Sequence, residues 1–263
     1  MDIERWVIQS RLSDPLGHAV LIADLPPRVS SLNRVVQGLL IHLGQLKAYG
    51  IDESEVGQVS RTTLPVAERL DDVLKIDGRA LGAQRAPARR SVGTCRDFAL
   101  MLCSFLRGKG IPSRVRCGFA AYLGAGWGDH WVCEYWDGQV SAWRLSDAQM
   151  DEVLRKKYRI LFDPADVPRA AFMTAGQAWL ECRAGKHDPE LFGHDDARGL
   201  WFIKVNVFRD HLSLNNREAS AWDSWRDAPE KKRVVSDGEV ALLDHLAAHP
   251  EQAMVESGPD WQV

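Results

Sequence analysis

At 263 residues the chain is long enough for one substantial hydrophobic core or two small ones. With 45% hydrophobic and 26% charged residues it has the composition of a globular protein. A net charge of −3 offers little to a phosphate backbone, so nucleic acid is excluded as the expected partner.

The opening, Met1 to Trp6, has no positive segment leading into an apolar one, as a secretory signal would. No apolar run approaches the roughly 20 residues needed to cross a bilayer, so no membrane partner is expected. Cys95, Cys103, Cys117, Cys133 and Cys182 are odd in number and form no C-x-x-C pair. A reducing, cytoplasmic setting is the simplest account of them.

Leu32, Val35, Val36, Leu39, Leu40, Leu43 and Leu46 recur at helical spacing. They predict one buried helical face, capped by Ser30 or Ser31 and ended by Gly50. Pro65 opens a second helix over Val66 to Ile76. Residues 78 to 91 read as a loop, and the basic run Arg85 to Arg90 within it as solvated. A third helix is expected from about Cys95 to Lys109, with Phe98, Ala99, Leu102, Phe105 and Leu106 inward. Gly110-Ile111-Pro112 stops it.

From Arg114 the period changes to two, with Val115, Cys117 and Phe119 on one face and Arg114 and Arg116 on the other. Strands near His130 to Trp136 and Ser141 to Ser146 follow, joined by a hairpin at Asp137-Gly138. Ala170 to Arg183 reads as a helix. Leu200 to Phe208 fits a strand or a buried helix equally. Asn215 to Asp227 and Asp237 to Ala248 read as helices. With no internal repeat or linker, the expected layout is a single domain over residues 1–263. Its core lies at about 91–149, its helical N-terminal part at 1–77, and its mostly helical C-terminal part at 150–263.

Gly93-Thr94-Cys95-Arg96-Asp97 sets a cysteine at a helix start, where unpaired amides and the helix dipole favour a negative charge. A free thiol has a pKa of about 8.5. A neighbouring imidazole that lowers it, here His130, would make Cys95 a nucleophile. Asp147 follows at the end of the next strand, suited to orient that imidazole. Asp129, Asp151 and Asp163 are rivals for its role. The Cys95 N–H is a natural oxyanion donor, and Gln84 or a tryptophan indole is a candidate for a second. Gly124 to Gly128 reads as a mobile rim or a plain hairpin loop.

Taken in order, Gly-Thr-Cys-Arg-Asp-Phe-Ala, Leu-Arg-Gly-Lys-Gly-Ile-Pro-Ser-Arg-Val, Asp-His-Trp-Val-Cys-Glu-Tyr-Trp and the strand ending at Asp147 resemble the transglutaminase-like superfamily. The resemblance covers about residues 91 to 149. It implies an α+β, papain-like fold, with the nucleophile helix packed on an antiparallel sheet and helical additions at both ends. It also implies a triad of Cys95 as nucleophile, His130 as base and acid, and Asp147 as orienting carboxylate.

The activity implied is cysteine-dependent hydrolysis of an amide or peptide, or acyl transfer to an amine, through a Cys95 thioester. The substrate would be a peptide, a protein, or a small amide or ester. The alternative is a non-catalytic scaffold that keeps the fold for binding. No cofactor or metal is expected. His187 and His194 with Cys182, Asp188, Asp195 and Asp196 match no familiar ligand spacing and read as a solvated loop. Asn206, Arg209, Asp210, Asn215 and Asn216 read as structural partners of the core rather than as pocket lining.

Overall fold

The computed structural model describes residues 3–56, 65–218 and 235–253. Its contacts group into two compact units: Met1–Val115 with Val132–Pro168, and Arg116–Trp131 with Arg169–Val263.

In the first unit a short helix α1 (Ala19–Ala23) precedes α2 (Val29–Leu39). Leu32, Val35, Val36 and Leu39 are buried on α2, as their spacing predicts. Neither Ser30 nor Ser31 caps it; the helix starts behind Arg28 with no side-chain cap. It also ends well short of Gly50. At Leu40 the backbone turns extended, and Leu40–His42 becomes strand β1. β1 lies parallel to β2 (Ser91–Gly93), with Leu40 opposite Ser91 and His42 opposite Gly93. An apolar run such as Leu39-Leu40-Ile41 suits a buried strand as well as a helical face, and the pairing with β2 decides it. A 3-10 helix, Leu43–Tyr49, follows, and Gly50 closes that element in the left-handed region.

Helix α3 (Val66–Ile76) has the bounds read from the sequence, with Pro65 as its capping residue. Helix α4 (Cys95–Gly108) is buried from Arg96 to Arg107, all round rather than along one face. Helices α1, α2 and α3 all pack against it. Its polar groups survive burial because they are bonded. The Arg107 guanidinium donates to the Ser113 carbonyl (3.0 Å) and to Ser13 Oγ (3.0 Å).

Beyond Gly110 run β3 (Ser113–Ala120), β4 (Gly128–Asp137) and β5 (Ala142–Ser146). β4 and β5 pair antiparallel from Cys133 opposite Ser146 to Asp137 opposite Ala142. Their turn is therefore the four residues 138–141, which follow Asp137 rather than centring on the predicted Asp137-Gly138. Ser113 Oγ donates to the Cys103 carbonyl of α4 (3.1 Å), which fastens the helix to β3. All eight residues of β3 are buried. Arg114 and Arg116 do share a face, and each meets a buried carboxylate there. Arg114 Nε donates to Glu134 Oε2 (2.7 Å), and Arg116 pairs with Asp210. Helix α5 (Glu152–Tyr158) closes the first unit's elements, capped by Asp151.

The second unit adds β6 (Phe172–Thr174), which pairs antiparallel with β3, Gly118 opposite Thr174. The sheet order is β5-β4-β3-β6. A helix was expected from Ala170, but it begins only at Ala175, as α6 (Ala175–Arg183). A small hairpin, β7 (Gly193–His194) with β8 (Ala197–Arg198), forms in the region predicted to be a solvated loop. Leu200–Leu214 is helix α7, which settles the strand-or-helix ambiguity, and it is almost wholly buried from Phe202 onward. Asn215 caps α7 rather than opening a new helix. Residues 219–227 of the helix expected there lie outside the described residues. Helix α8 (Asp237–Ala248) has the predicted bounds. α6, α7 and α8 pack on one another around Trp179, Phe202, Ile203, Leu243 and Leu246. The fold is mixed α+β, with an antiparallel sheet.

Candidate functional site

Cys95 is the first residue of α4 and is half-buried, whereas the other four cysteines are buried. Burial pushes the Cys133 thiol well up, and burial with nearby Asp188 and Glu181 pushes Cys182 up to about 11. Neither is suited to act as a thiolate near neutral pH.

The helix start is built by a capping box. Asp97 Oδ2 accepts the Thr94 N–H (2.8 Å) and lies 3.2 Å from Thr94 Oγ1, while the Thr94 side chain accepts from the Asp97 backbone. Among the described residues no acceptor engages the Cys95 N–H, which leaves it available as an oxyanion donor. A Cβ on Gly93 would stand 3.0 Å from Asp97 Oδ2 and 3.1 Å from Asp97 Cβ. Gly93 therefore makes room for the capping carboxylate.

Two buried guanidinium groups surround that carboxylate. Arg69 of α3 reaches Asp97 Oδ2 with Nη2 (3.6 Å), while its Nη1 donates to the Val92 carbonyl (2.9 Å) and to Ser91 Oγ (3.3 Å). Arg96 Nη1 lies 3.4 Å from Asp97 Oδ1. Sequence reasoning missed Arg69. The signal was available: Arg69 stands three residues after Val66 and four before Val73, on the buried stripe of α3.

His130 belongs to the second unit, near the start of β4. It is 1% exposed, with its ring edge-to-face on Tyr122 at 5.9 Å. Asp147 belongs to the first unit, directly after β5, and is also 1% exposed. Its N–H donates to the Pro164 carbonyl (2.7 Å), and its Oδ1 accepts the Gln149 N–H (3.0 Å).

Each rival carboxylate has a structural task. Asp129 accepts from Asn206 Nδ2 (2.8 Å), and Asn206 in turn accepts from Arg209 Nη1 (2.9 Å). Asp151 caps α5 and pairs with Arg90 (3.4 Å). Asp163 accepts the Ala165 N–H (2.9 Å). The core-partner reading of Asn206, Arg209 and Asp210 fits these bonds.

Gln84 is exposed, with its amide beside Gly38 of α2. The loop before it is not simply solvated. Arg85 is 2% exposed and donates to the carbonyls of Asp77, Arg79 and Ala83, among others. The segment before His130 is tied down at Trp127. Trp127 exchanges backbone bonds with Leu191 and Gly193, and its ring stacks on Phe192 at 5.8 Å.

Trp136 and Trp143 pack edge to face, and the Arg114 guanidinium lies 4.1 Å over Trp143. Their role is packing. Among the described residues no three His, Cys, Asp or Glu side chains converge as a metal site would require. His187 pairs with Glu181 and His194 with Asp129. No described helix is long and apolar enough to cross a membrane.

Residues 65–148 match the family model described as the transglutaminase-like superfamily. No curated protein matches the chain significantly. Among solved structures, the chain is similar to a candidate cysteine protease from Cytophaga hutchinsonii, at 18% identity and a TM-score of 0.38. That likeness covers 66% of this chain and 45% of the other, so this chain spans less than half of its length. The matched segment opens at the start of α3 and closes one residue after Asp147, taking in the helix that begins at Cys95. The similarity to the transglutaminase-like superfamily thus lies in residues 65–148, about a third of the chain.

Proposed function

We propose that this domain carries out cysteine-dependent acyl chemistry, with Cys95 as nucleophile, His130 as base and acid, and Asp147 as the carboxylate that orients the imidazole. The observation that carries the reading is the contrast among the thiols: Cys95 alone is half-buried, and it opens a capped helix with its N–H uncommitted.

In the first half-reaction the thiolate attacks the carbonyl of an amide or ester. The C–S bond forms, the C–N or C–O bond breaks, and the imidazolium gives its proton to the departing amine or alcohol. In the second, water or an amine attacks the thioester. The proton it loses returns through His130 to the sulfur as the C–S bond breaks. Water gives hydrolysis of an amide or peptide; an amine gives acyl transfer. The substrate is a peptide, a protein, or a small amide or ester. The chain 1–263 acts as a single catalytic domain, and five cysteines outside any disulfide suit a reducing, cytoplasmic setting.

The test is iodoacetamide alkylation of each cysteine in the folded protein between pH 5.5 and 9.5, read by peptide mass spectrometry. The expected result is selective labelling of Cys95 at pH 6.5, slowed about tenfold in His130→Ala. If Cys95 labels at pH 6.5 no faster than a free thiol, and equally in both proteins, the catalytic reading fails. The non-catalytic scaffold then takes its place.

A further inference from the structure

The turn from β2 into α4 is the one stretch of backbone that fixes where the Cys95 sulfur lies. β2 is three residues long, with a three-residue parallel partner in β1. Such a short pairing restrains the turn weakly. Within it, Thr94 is held by Asp97, its own capping partner three residues on. A capping box defines the first turn of a helix but does not connect it to the strand that leads in.

Arg69 makes that connection. One guanidinium nitrogen donates to the Val92 carbonyl and to Ser91 Oγ on the incoming strand, and the other faces the Asp97 carboxylate on the outgoing helix. Arg69 is 5% exposed and stands on the buried face of α3, so its own position is set by packing.

We propose that Arg69 is a positioning residue for Cys95: its planar fork spans the turn Gly93-Thr94-Cys95 and sets the thiol relative to the amides that open α4. The inference rests on the reading of Cys95 as nucleophile. The fork is what matters, because a guanidinium presents donors in two fixed directions at once. A lysine keeps the charge beside Asp97 but offers a single point of attachment.

The test compares wild type, Arg69→Lys and Arg69→Gln by iodoacetamide labelling of Cys95 at pH 6.5 and pH 9.5. Amide hydrogen exchange over residues 92–98 is followed in the same samples, and each protein is first checked for a cooperative thermal transition. The expected outcome is that Arg69→Lys folds, exchanges faster at Thr94 to Asp97, and labels Cys95 about tenfold more slowly at pH 6.5. The two proteins should differ by less than twofold at pH 9.5, where any exposed thiol is ionised. A merely structural role would lower the melting temperature and leave the ratio of the two labelling rates unchanged; that result overturns the proposal.

If Arg69→Lys does not fold, Ser91→Ala removes only the hydroxyl contact and must shift the same ratio at least twofold in the same direction; no shift overturns the proposal. A wild-type Cys95 that labels like a free thiol would instead sink the nucleophile reading, and this inference with it. A reactive wild type with an equally reactive Arg69→Lys sinks only the inference.

Discussion

Gly93 and Asp97 are four residues apart and occupy one small volume. The capping carboxylate lies where a side chain at 93 would begin, and its bonds to Thr94, with Arg69 and Arg96 beside it, keep it from moving away. Gly93→Ala should therefore cost about 1–3 kcal/mol of stability by overpacking. Urea unfolding would measure it, and a variant as stable as wild type would mean that the carboxylate has room to move. Single residues also show what the sequence discloses about a site. Cys95, His130 and Asp147 stand out because their order and element types resemble the superfamily's pattern. Arg69 looks like an ordinary helix residue until α3, β2 and α4 are brought together. Asp97 reads as a cap from its spacing to Thr94, whereas its two guanidinium neighbours come from 28 residues away and from next door.

Elements with strong local signals were legible in the sequence. α3 begins behind Pro65, and α8 begins with a Ser236–Glu239 capping box, so both have the bounds their residues announce. β1 and β6, three residues each, were not, because partners distant in sequence create them. The apolar stripe through Leu46 has the spacing of one helix for that reason. β3 illustrates a different override, since its two arginines turn inward.

Arg116 is held by Asp210 of α7 through two side-chain bonds of 2.9 and 2.7 Å, and Asp210 also accepts the Cys117 N–H. Asp210→Ala would strand a buried guanidinium and should cost about 3–5 kcal/mol in urea unfolding. Replacing both partners with apolar residues of similar volume should recover most of that loss. If the double variant is no better than Asp210→Ala, the pair is not acting as a buried charge unit. At the paired residue Gly118, a Cβ would fall 2.9 Å from Thr174 Cα and closer still to the Met173 carbonyl. Gly118→Ala is expected to detach β6, with a loss of about 3 kcal/mol. The detachment would appear as faster hydrogen exchange at Phe172 to Thr174.

At the scale of the molecule, buried titratable groups set the pH range over which the fold is stable. Burial pushes the His211 imidazole in α7 down from its ordinary value. The unfolded chain therefore binds more protons below about pH 6.5, and stability falls as pH drops through that value. Cys182 is pushed up to about 11, so the unfolded thiol ionises first, and stability is lost as pH rises from about 8.5 toward 11. Melting temperature against pH should show a plateau between these limits. His211→Gln should flatten the acid side alone; an unchanged acid limb would assign that loss to other groups.

The parallel pairing of β1 with β2 has a practical consequence for anyone wishing to work with a smaller piece of this protein. The superfamily match begins at residue 65, but the strand that lies alongside Ser91–Gly93 is drawn from residues 40–42, and α2, which packs on α4, comes from the same upstream stretch. A fragment cut at the edges of the match would keep Cys95, His130 and Asp147 while discarding the strand that pairs with β2 and the helix that packs on α4. A fragment that keeps both of these neighbours of the Cys95 helix must reach back to the start of α2 at Val29.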